Sequence, residues 1–252
     1  MMRNLRVAIT FLTRVPVPIR GDVELTAAVP WYPFVGALIG AMVGGVAAGL
    51  LHLVPPLVAA SVAVMIGVLV TGAFHEDGLA DVADAFAGGW TPAERLRTLK
   101  DPLHGSYGVA AMCGSIVIRV ACIASFGVSP AVAFAAVLAA HALGRCAAVT
   151  LICVVPPATT DGLGAVNRAG VSVGLCAAGV TAGVAIAAVA TGWWVGPFVL
   201  ATVVGSTTVA WLALRKIGGV NGDVLGTAEQ VVECLVLITA TGLAVRYDLW
   251  WT

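Results

Sequence analysis

Charged residues are scarce in this chain and make up only 10% of its 252 residues. Soluble domains carry about 25% charged residues, and the mean hydropathy here is +1.02. A soluble globular domain is therefore excluded. The charges also balance, with 13 basic and 13 acidic side chains. A chain without a basic excess has no electrostatic footprint for nucleic acid, so we expect no nucleic-acid partner.

Cysteine pairs with the CxxC spacing are also missing, although the chain has six cysteines. All six lie in apolar runs, where cysteine is typical of a small buried hydrophobic residue and not of a disulfide or a zinc ligand. A signal peptide is not expected either. The apolar core at 7–12 is short, and Arg14 follows it without a small-residue cleavage site.

Long apolar runs dominate the rest of the chain, and seven are long enough for a crossing of about 20 residues. They span 34–54, 57–74, 107–126, 131–154, 171–191, 195–214 and 230–245. The sequence therefore predicts an all-α polytopic membrane helix bundle, with residues 1–252 as a single integral membrane domain in a lipid bilayer. Residues 1–20 predict an interfacial helix with an extended exit, and Trp31 and Tyr32 are expected in an interfacial aromatic belt.

Basic residues are confined to some of the connections between these runs. Residues 1–20 carry four arginines and no acid, whereas the turns at 54–56, 127–130 and 191–194 have no basic residue. The positive-inside rule then places the N-terminus and the polar loops at 75–106, 155–170 and 215–229 in the cytoplasm. The 155–170 loop contributes Asp161, Asn167 and Arg168. Every polar cluster is thus predicted on one side of the membrane.

The most informative stretch is HEDGLADVADAFAGG at 75–89, which holds four acids. At about 100° per residue, Asp77, Asp81 and Asp84 share one narrow stripe of a helix. An acidic stripe is usually a solvated helix face. Here it follows an apolar run, and a carboxylate at membrane depth costs roughly 2.5–3.5 kcal/mol. Close carboxylates repel each other unless a cation lies among them, and hard oxygen ligands suit Mg²⁺. We therefore predict a metal site.

A short helix is predicted after the stripe, because Thr91-Pro92-Ala93-Glu94 matches a capping box. Lys100 and Asp101 follow it beside a proline–glycine turn and are candidate site residues. Arg145, inside an apolar run, lies near the same membrane side and is placed to reach a phosphate. The other intramembrane basic residue, Arg119, is expected in a structural pairing, and His141 is expected in the core.

The segment 218–229 forms a second cluster, with four glycines, Asp223 and Glu229. Glycine lets the backbone approach a ligand, and successive N–H groups can hold phosphate oxygens. A flexible turn is the alternative. Thr227 and Gln230 match a second capping box for the last helix, and Glu229 is either a supporting group near the metal or a first-turn helix acid. Gly36, Gly40 and Gly44 leave two interpretations open, close helix packing or simple tolerance of glycine.

Three strings, HEDGLADVADAFAGG, LKDPLHGSYG and GGVNGDVLGTAEQ, resemble the cobalamin-5′-phosphate synthases, also called adenosylcobinamide-GDP ribazoletransferases. The resemblance extends over nearly the whole chain. It implies a multi-pass enzyme of the bacterial inner membrane that joins adenosylcobinamide-GDP to α-ribazole or its 5′-phosphate. The implied products are adenosylcobalamin, or its 5′-phosphate, and GMP, and Mg²⁺ is the implied cofactor. A homo-oligomer is left open.

The family pattern HxDGLxDxxD falls on residues 75–84, its KD element on Lys100 and Asp101, and its GD–LG element on residues 222–226. Ala85 and Asn221 depart from the residues that many members carry. The predicted metal ligands are Asp77, Asp81, Asp84 and Asp223. The predicted catalytic residues are His75 (as the base), Asp77, Asp81 and Lys100. The predicted substrate-binding residues are Glu76, Asp101, Arg145, Gly222, Asn221 and Glu229.

Other functions fit parts of the pattern. Intramembrane prenyltransferases also hold Mg²⁺-diphosphate with spaced aspartates, but they usually carry two such motifs. CDP-alcohol phosphotransferases have a fuller pattern than this chain shows. A divalent cation transporter would place carboxylates near the bilayer midplane, often within inverted repeats, whereas here the acids cluster at one predicted face.

Overall fold

The structure is a computed structural model that describes residues 2–19, 21, 23–127, 129–159 and 170–252. Most of the predicted polar loop at 155–170, with its Asp161, Asn167 and Arg168, therefore lies outside the described residues. The helices are α1 (Met2–Leu12), α2 (Leu25–Ala28), α3 (Tyr32–Leu50), α4 (Pro56–Thr71), α5 (Phe74–Gly88), α6 (Pro92–Thr98), α7 (Ser106–Ser125), α8 (Pro130–Val154), α9 (Val173–Thr191), α10 (Val195–Ile217) and α11 (Gly222–Ala244). The predicted all-helical fold is confirmed.

Five helical stretches of the described chain are long and apolar enough to cross a membrane. They are Leu25–Leu50, Ser106–Ser125, Pro130–Val154, Val173–Ile217 and Gly222–Ala244. A sixth arises if α4 and α5, which are bent by 88° relative to each other, form one broken crossing. These stretches support a multi-pass membrane protein.

The number of crossings depends further on the 45-residue stretch Val173–Ile217. At 1.5 Å per residue a straight helix of that length would measure about 67 Å, about twice the hydrocarbon thickness of a bilayer. Gly192 interrupts it with a φ of +61°, which separates α9 from α10. The predicted count of seven requires this division and one crossing for α4 with α5, and it stays a prediction.

Glycines at every fourth position join α3 to α8. A Cβ added to Gly40 would lie 2.8 Å from the Leu138 backbone, and one added to Gly44 would lie 2.8 Å from the Phe134 carbonyl. Gly36 meets the side chain of Arg145 in the same way. Close helix packing is therefore the better of the two interpretations of these glycines. It makes α8 the central helix of the bundle, with most of its residues buried.

Polar connections meet at one end of the bundle. The Arg95 guanidinium donates to the Lys216 carbonyl at 3.0 Å, and the Lys216 ammonium donates to the Phe86 carbonyl at 3.1 Å. Pro157 pairs with Val220 as an isolated parallel bridge. The segments after α5, α8 and α10 thus lie side by side, as the charge pattern predicts. That this end faces the cytoplasm stays a prediction.

The turns that lack basic residues meet at the opposite end. Gly127 packs against Pro56, and the Trp250 indole donates to the Val189 carbonyl at 3.0 Å. The rings of Trp193 and Tyr247 lie 5.0 Å apart. The two ends of the bundle therefore differ in character, one polar and one aromatic.

Helix starts agree with the predicted caps in one case and not in the other. Thr91 and Glu94 form the predicted capping box of α6, and the N–H groups of Thr91 and Trp90 lower the pKa of the Glu94 carboxyl. The second capping box, at Thr227, is wrong. The last helix starts at Gly222, eight residues before the predicted 230, because the Asn221 side chain caps it by accepting from Val224 N at 3.0 Å.

Candidate active site

A sharp turn between α4 and α5 directs the acidic helix across the polar end of the bundle. Gly72 and Ala73 both have left-handed backbones, with φ values of +69° and +58°. Arg14 holds this turn, since its N–H donates to the Val70 carbonyl at 2.7 Å and its side chain packs on Gly72. A Cβ at Gly72 would meet both a strained φ and the Arg14 side chain. The bend sets the direction of the carboxylates that follow.

His104 bridges two of the predicted metal ligands. Its Nε2 lies 3.3 Å from an oxygen of Asp77, and its Nδ1 lies 3.3 Å from an oxygen of Asp81. The Asp77 side chain is 61% exposed and the Asp81 side chain 14% exposed, so the pair lies at a surface opening. His104 lies within the motif LKDPLHGSYG, but no role was predicted for it. A histidine three residues after Asp101, in a polar loop, was the signal that could have identified it.

Asp84 is used to hold the turn that carries His104. One of its oxygens accepts the N–H of Gly105 at 2.6 Å, and the other accepts the N–H of Gly108 at 2.9 Å. A Cβ at Gly105 would lie 2.7 Å from the Asp84 carboxylate, so the turn needs glycine for this close approach. Asp84 remains a predicted metal ligand, but the structure gives both of its oxygens a backbone partner.

Asp223 meets the acidic helix from the other half of the chain. A Cβ at Gly78 would lie 3.0 Å from the Asp223 Cα and carbonyl oxygen, so α5 and α11 touch through backbone here. Thr227 donates to the Gly78 carbonyl at 3.1 Å and fixes the contact. The Asp223 carboxylate accepts the Asn221 amide at 2.8 Å. Asn221, predicted to bind substrate, thus supports both the helix start and the Asp223 side chain.

The carboxylates of this opening come from two helices, Asp77 and Asp81 from α5 and Asp223 from α11. Among the described residues, no group of three or more His, Cys, Asp or Glu side chains is arranged so that it could hold a metal ion. Mg²⁺ is usually held by one or two carboxylates together with water and substrate phosphates. A Mg²⁺ site at Asp77, Asp81 and Asp223 therefore stays a prediction, and it would need phosphate oxygens of a substrate as further ligands.

Lys100 and Asp101 lie on the exposed segment between α6 and α7, at the polar end. The Asp101 carboxylate accepts the N–H of Leu103 at 3.0 Å, which shapes the chain just before His104. Gly222 is exposed at the start of α11, beside Asp223. Gly222 lines the cavity beside Asp223, whereas Lys100 and Asp101 belong to the segment that carries His104, and the roles of all three stay predictions.

Beneath the opening, ion pairs link helices α5, α7, α8 and α11 in the interior of the bundle. His75 Nε2 lies 2.8 Å from a Glu229 oxygen, and Arg145 also pairs with Glu229. Arg119 lies 2.8 Å from Glu76. The members, all buried, are His75, Glu76, Arg119, His141, Arg145, Glu229 and Glu233.

Glu233 also belongs to this cluster, although no role was predicted for it from the sequence. It pairs with Arg145, lies 2.7 Å from His141 Nδ1, and lies 3.5 Å from Arg119. A lone acid in an apolar run is itself a signal, because such residues pair inside the bundle. The expected structural pairing of Arg119 is thereby found in the structure.

Three predicted substrate-binding residues belong to this buried cluster. Glu76 faces the core and pairs with Arg119, although a substrate contact was predicted for it. Arg145 is 1% exposed and its guanidinium is directed at Glu229 and Glu233 instead of the opening. The cause is the close packing of α8 on α11, where charged groups must find partners away from water.

A cavity of about 140 Å³ connects the buried cluster to the opening. Its polar wall comes from His75, Arg145 and Glu229, and its mouth lies at Asp77, Gly222 and Asp223. The remaining wall is apolar and includes three aromatic rings, namely Phe11, Tyr32 and Phe74.

Tyr32 lies in this wall and not in an interfacial belt as predicted, because α1 covers it. It is 3% exposed, and its ring stacks on Phe11 with the centroids 5.5 Å apart. Its neighbour Trp31 is partly exposed.

The fold and this opening define a class of protein, a multi-pass membrane protein with a cluster of acidic side chains at one end of its helix bundle. Residues 4–241 match the family model described as cobalamin-5-phosphate synthase, and the chain belongs to that family. The resemblance carried by the three motifs is thus confirmed.

Individual relatives agree with this assignment. The chain is 35% identical to an adenosylcobinamide-GDP ribazoletransferase of Ralstonia pickettii, over 91% of each chain. It is 35% identical to one of Chlorobaculum tepidum, over 95% of each chain, and 36% identical to one of Chlorobaculum parvum, again over 95% of each. No solved structure matches the chain.

Proposed function

We propose that this protein transfers the adenosylcobinamide-phosphate group of adenosylcobinamide-GDP to α-ribazole or α-ribazole 5′-phosphate. The products are adenosylcobalamin, or its 5′-phosphate, and GMP. The observation that carries the proposal is the contact of Asp223 with Gly78, which brings acids from both halves of the chain to one opening. Family membership and the full-length relatives support this transfer over prenyl transfer, CDP-alcohol transfer and cation transport.

In the transfer, the ribazole hydroxyl oxygen forms a bond to the phosphorus that carries the cobinamide. The bond from that phosphorus to the bridging oxygen breaks, and GMP leaves with the bonding electron pair. The hydroxyl proton passes to a base. For this role we retain His75, which lines the cavity and has Glu229 at 2.8 Å as its orienting carboxylate. A base oriented by a carboxylate is a common arrangement in proton transfer.

Asp77, Asp81 and Asp223 would hold the magnesium–diphosphate. Mg²⁺ bound there supplies charge neutralisation of the diphosphate oxygens and of the departing phosphate. His104 would hold the Asp77 and Asp81 side chains in place, since one ring nitrogen lies 3.3 Å from each carboxylate. Lys100, exposed on the segment between α6 and α7, would hold non-bridging phosphate oxygens. Asp84 contributes by holding the His104 turn.

The setting we propose is the bacterial inner membrane, with the polar end of the bundle in the cytoplasm. The four arginines of residues 1–20 support this orientation. An opening at the membrane surface would suit a donor as large as adenosylcobinamide-GDP, whose bulk can stay outside the bundle.

The test is GMP release by the purified protein in nanodiscs, supplied with Mg²⁺, adenosylcobinamide-GDP and either form of ribazole. We expect Asp81→Asn to lower kcat about 100-fold, the scale of losing one stabiliser of transition-state charge. Asp248→Asn is the matched control, since Asp248 is exposed at the aromatic end. A folded Asp81→Asn protein with wild-type turnover would contradict the proposal, and Mg²⁺ flux into proteoliposomes without GMP release would favour a transporter.

A further inference from the structure

The Tyr32 hydroxyl stands out in the wall of the cavity. Its oxygen is buried and has no hydrogen-bond partner within the described chain. A buried hydroxyl without a partner costs stability, and native proteins retain few of them. The charged groups of the wall lie against one another instead, since Arg145 and His75 both contact the Glu229 carboxylate. Within the described ranges the Tyr32 hydroxyl takes part in no such ion pair and is therefore free to donate to a ligand.

The volume of the cavity and its aromatic wall favour a small, mostly apolar group. Its volume is about 140 Å³, and a dry cavity of about 150 Å³ is known to accept a benzene molecule. Aromatic walls are present, with Phe11 stacked on Tyr32 and set edge-on to Phe74, each at 5.5 Å between centroids. A corrin ring is far too large for this space.

The position of the cavity relates it to the acceptor of the transfer. Its mouth is formed by Asp77, Gly222 and Asp223, where the diphosphate is proposed to sit. A nucleoside whose sugar hydroxyl attacks at that point would place its base inside the cavity. The base of α-ribazole is a benzimidazole, a planar bicycle with one unsubstituted ring nitrogen that accepts a hydrogen bond.

We propose that this cavity is the subsite for the benzimidazole of α-ribazole and that the Tyr32 hydroxyl donates to its free ring nitrogen. The inference rests on the proposed function for the identity of the acceptor. Guanine is a flat bicycle as well, but its edge carries several donors and acceptors. The wall offers one uncommitted hydroxyl for them, and unpaired polar groups are costly to bury.

The experiment compares α-ribazole with its indole analogue, in which a C–H replaces the free ring nitrogen. Binding of each nucleoside to the protein in nanodiscs is measured by calorimetry, and KM by GMP release. Wild-type protein should bind α-ribazole about three- to tenfold more tightly than the analogue, the contribution of one ordinary hydrogen bond. Tyr32→Phe should lose this preference while the KM for adenosylcobinamide-GDP stays unchanged.

Controls separate binding from folding. Tyr247→Phe, at the aromatic end, should keep the preference of the wild-type protein. Tyr32→Phe should unfold at the same temperature or a higher one, since it removes a hydroxyl that has no partner in the described chain. Ala148→Leu adds bulk to the wall of the same cavity and should weaken the binding of both nucleosides equally.

A Tyr32→Phe protein that still prefers α-ribazole over the analogue would overturn the assignment, as would one that loses binding of GMP and not of ribazole. Failure of the proposed function gives a different result from failure of the subsite. If wild-type protein shows the Tyr32-dependent preference in calorimetry but releases no GMP, the subsite stands and the transfer reaction is wrong. If it releases GMP and Tyr32→Phe changes nothing, the reaction stands and the subsite is wrong.

Discussion

Gly78→Ala tests the contact that brings the two acidic segments together. The added methyl group would lie 3.0 Å from both the Cα and the carbonyl oxygen of Asp223, well inside the ordinary contact distance of about 3.5–4.0 Å between carbon atoms. Backbone of a helix cannot rotate aside as a side chain can. The start of α11 must therefore move away from α5, and the Thr227 hydrogen bond to the Gly78 carbonyl, now 3.1 Å, lengthens with it.

The size of the effect follows from these distances. Relieving the contact requires a displacement of a few tenths of an ångström. A misplacement of about 1 Å in an active site can lower the rate on the order of 100-fold, so this smaller shift should lower it about tenfold. Overpacking of this kind costs typically 1–3 kcal/mol. Replacing a helical glycine by alanine stabilises the helix by about 1 kcal/mol, because alanine has the higher helix propensity. We therefore expect a large loss of kcat with a modest loss of stability.

Gly88→Ala is the matched control, because it lies on the same helix and a Cβ there meets no atom within 4 Å in the described part of the chain. Both variants are assayed for GMP release and for thermal unfolding in detergent. Gly78→Ala should retain about 10% of the wild-type kcat, and Gly88→Ala should retain nearly all of it. Equal activity in the two variants would refute the argument that backbone contact between α5 and α11 sets the geometry of the site.

Three further substitutions test other contacts. Glu76→Gln leaves the buried Arg119 without its carboxylate partner at 2.8 Å. It should lower the free energy of unfolding in detergent on the order of 3 kcal/mol, whereas the control Glu24→Gln, at an exposed position, should leave it unchanged. Asp84→Asn can accept only one of the two N–H groups at 105 and 108, so kcat should fall about tenfold while unfolding changes by about 1–2 kcal/mol. Thr91→Ala removes the N-cap of α6 and should lower the free energy of unfolding by about 1 kcal/mol. Faster amide hydrogen exchange should be confined to α6, and faster exchange in α5 as well would contradict this local effect.

Local patterns predicted the positions of most helices. The apolar runs locate the long helices because each run alone matches the thickness of a bilayer, and the acidic stripe becomes α5 as expected. The capping box at Thr91 formed because all its partners lie within four residues. The late start predicted for the last helix was wrong because Asn221 provides an equally local cap that precedes Thr227.

The partners of the charged groups were harder to predict. Glu76 and Glu229 both lie close in sequence to predicted metal ligands, yet each turns into the bundle to meet an arginine of another helix. On a helix, neighbouring residues point about 100° apart, so adjacency in sequence does not imply a shared environment. Which side faces the core depends on the packing of α7 and α8.

Composition and helical period are local properties, and they were enough to predict a membrane helix bundle and the segments that carry its acids. The contact of Asp223 with Gly78 and the position of His104 between Asp77 and Asp81 became known from the folded arrangement of the helices. Those contacts arise from the 88° bend between α4 and α5 and from glycine-mediated helix packing. The bend is held by Arg14, which lies 56 residues before Val70, and Asp223 lies 145 residues after Gly78, so neither contact is a local property of the sequence.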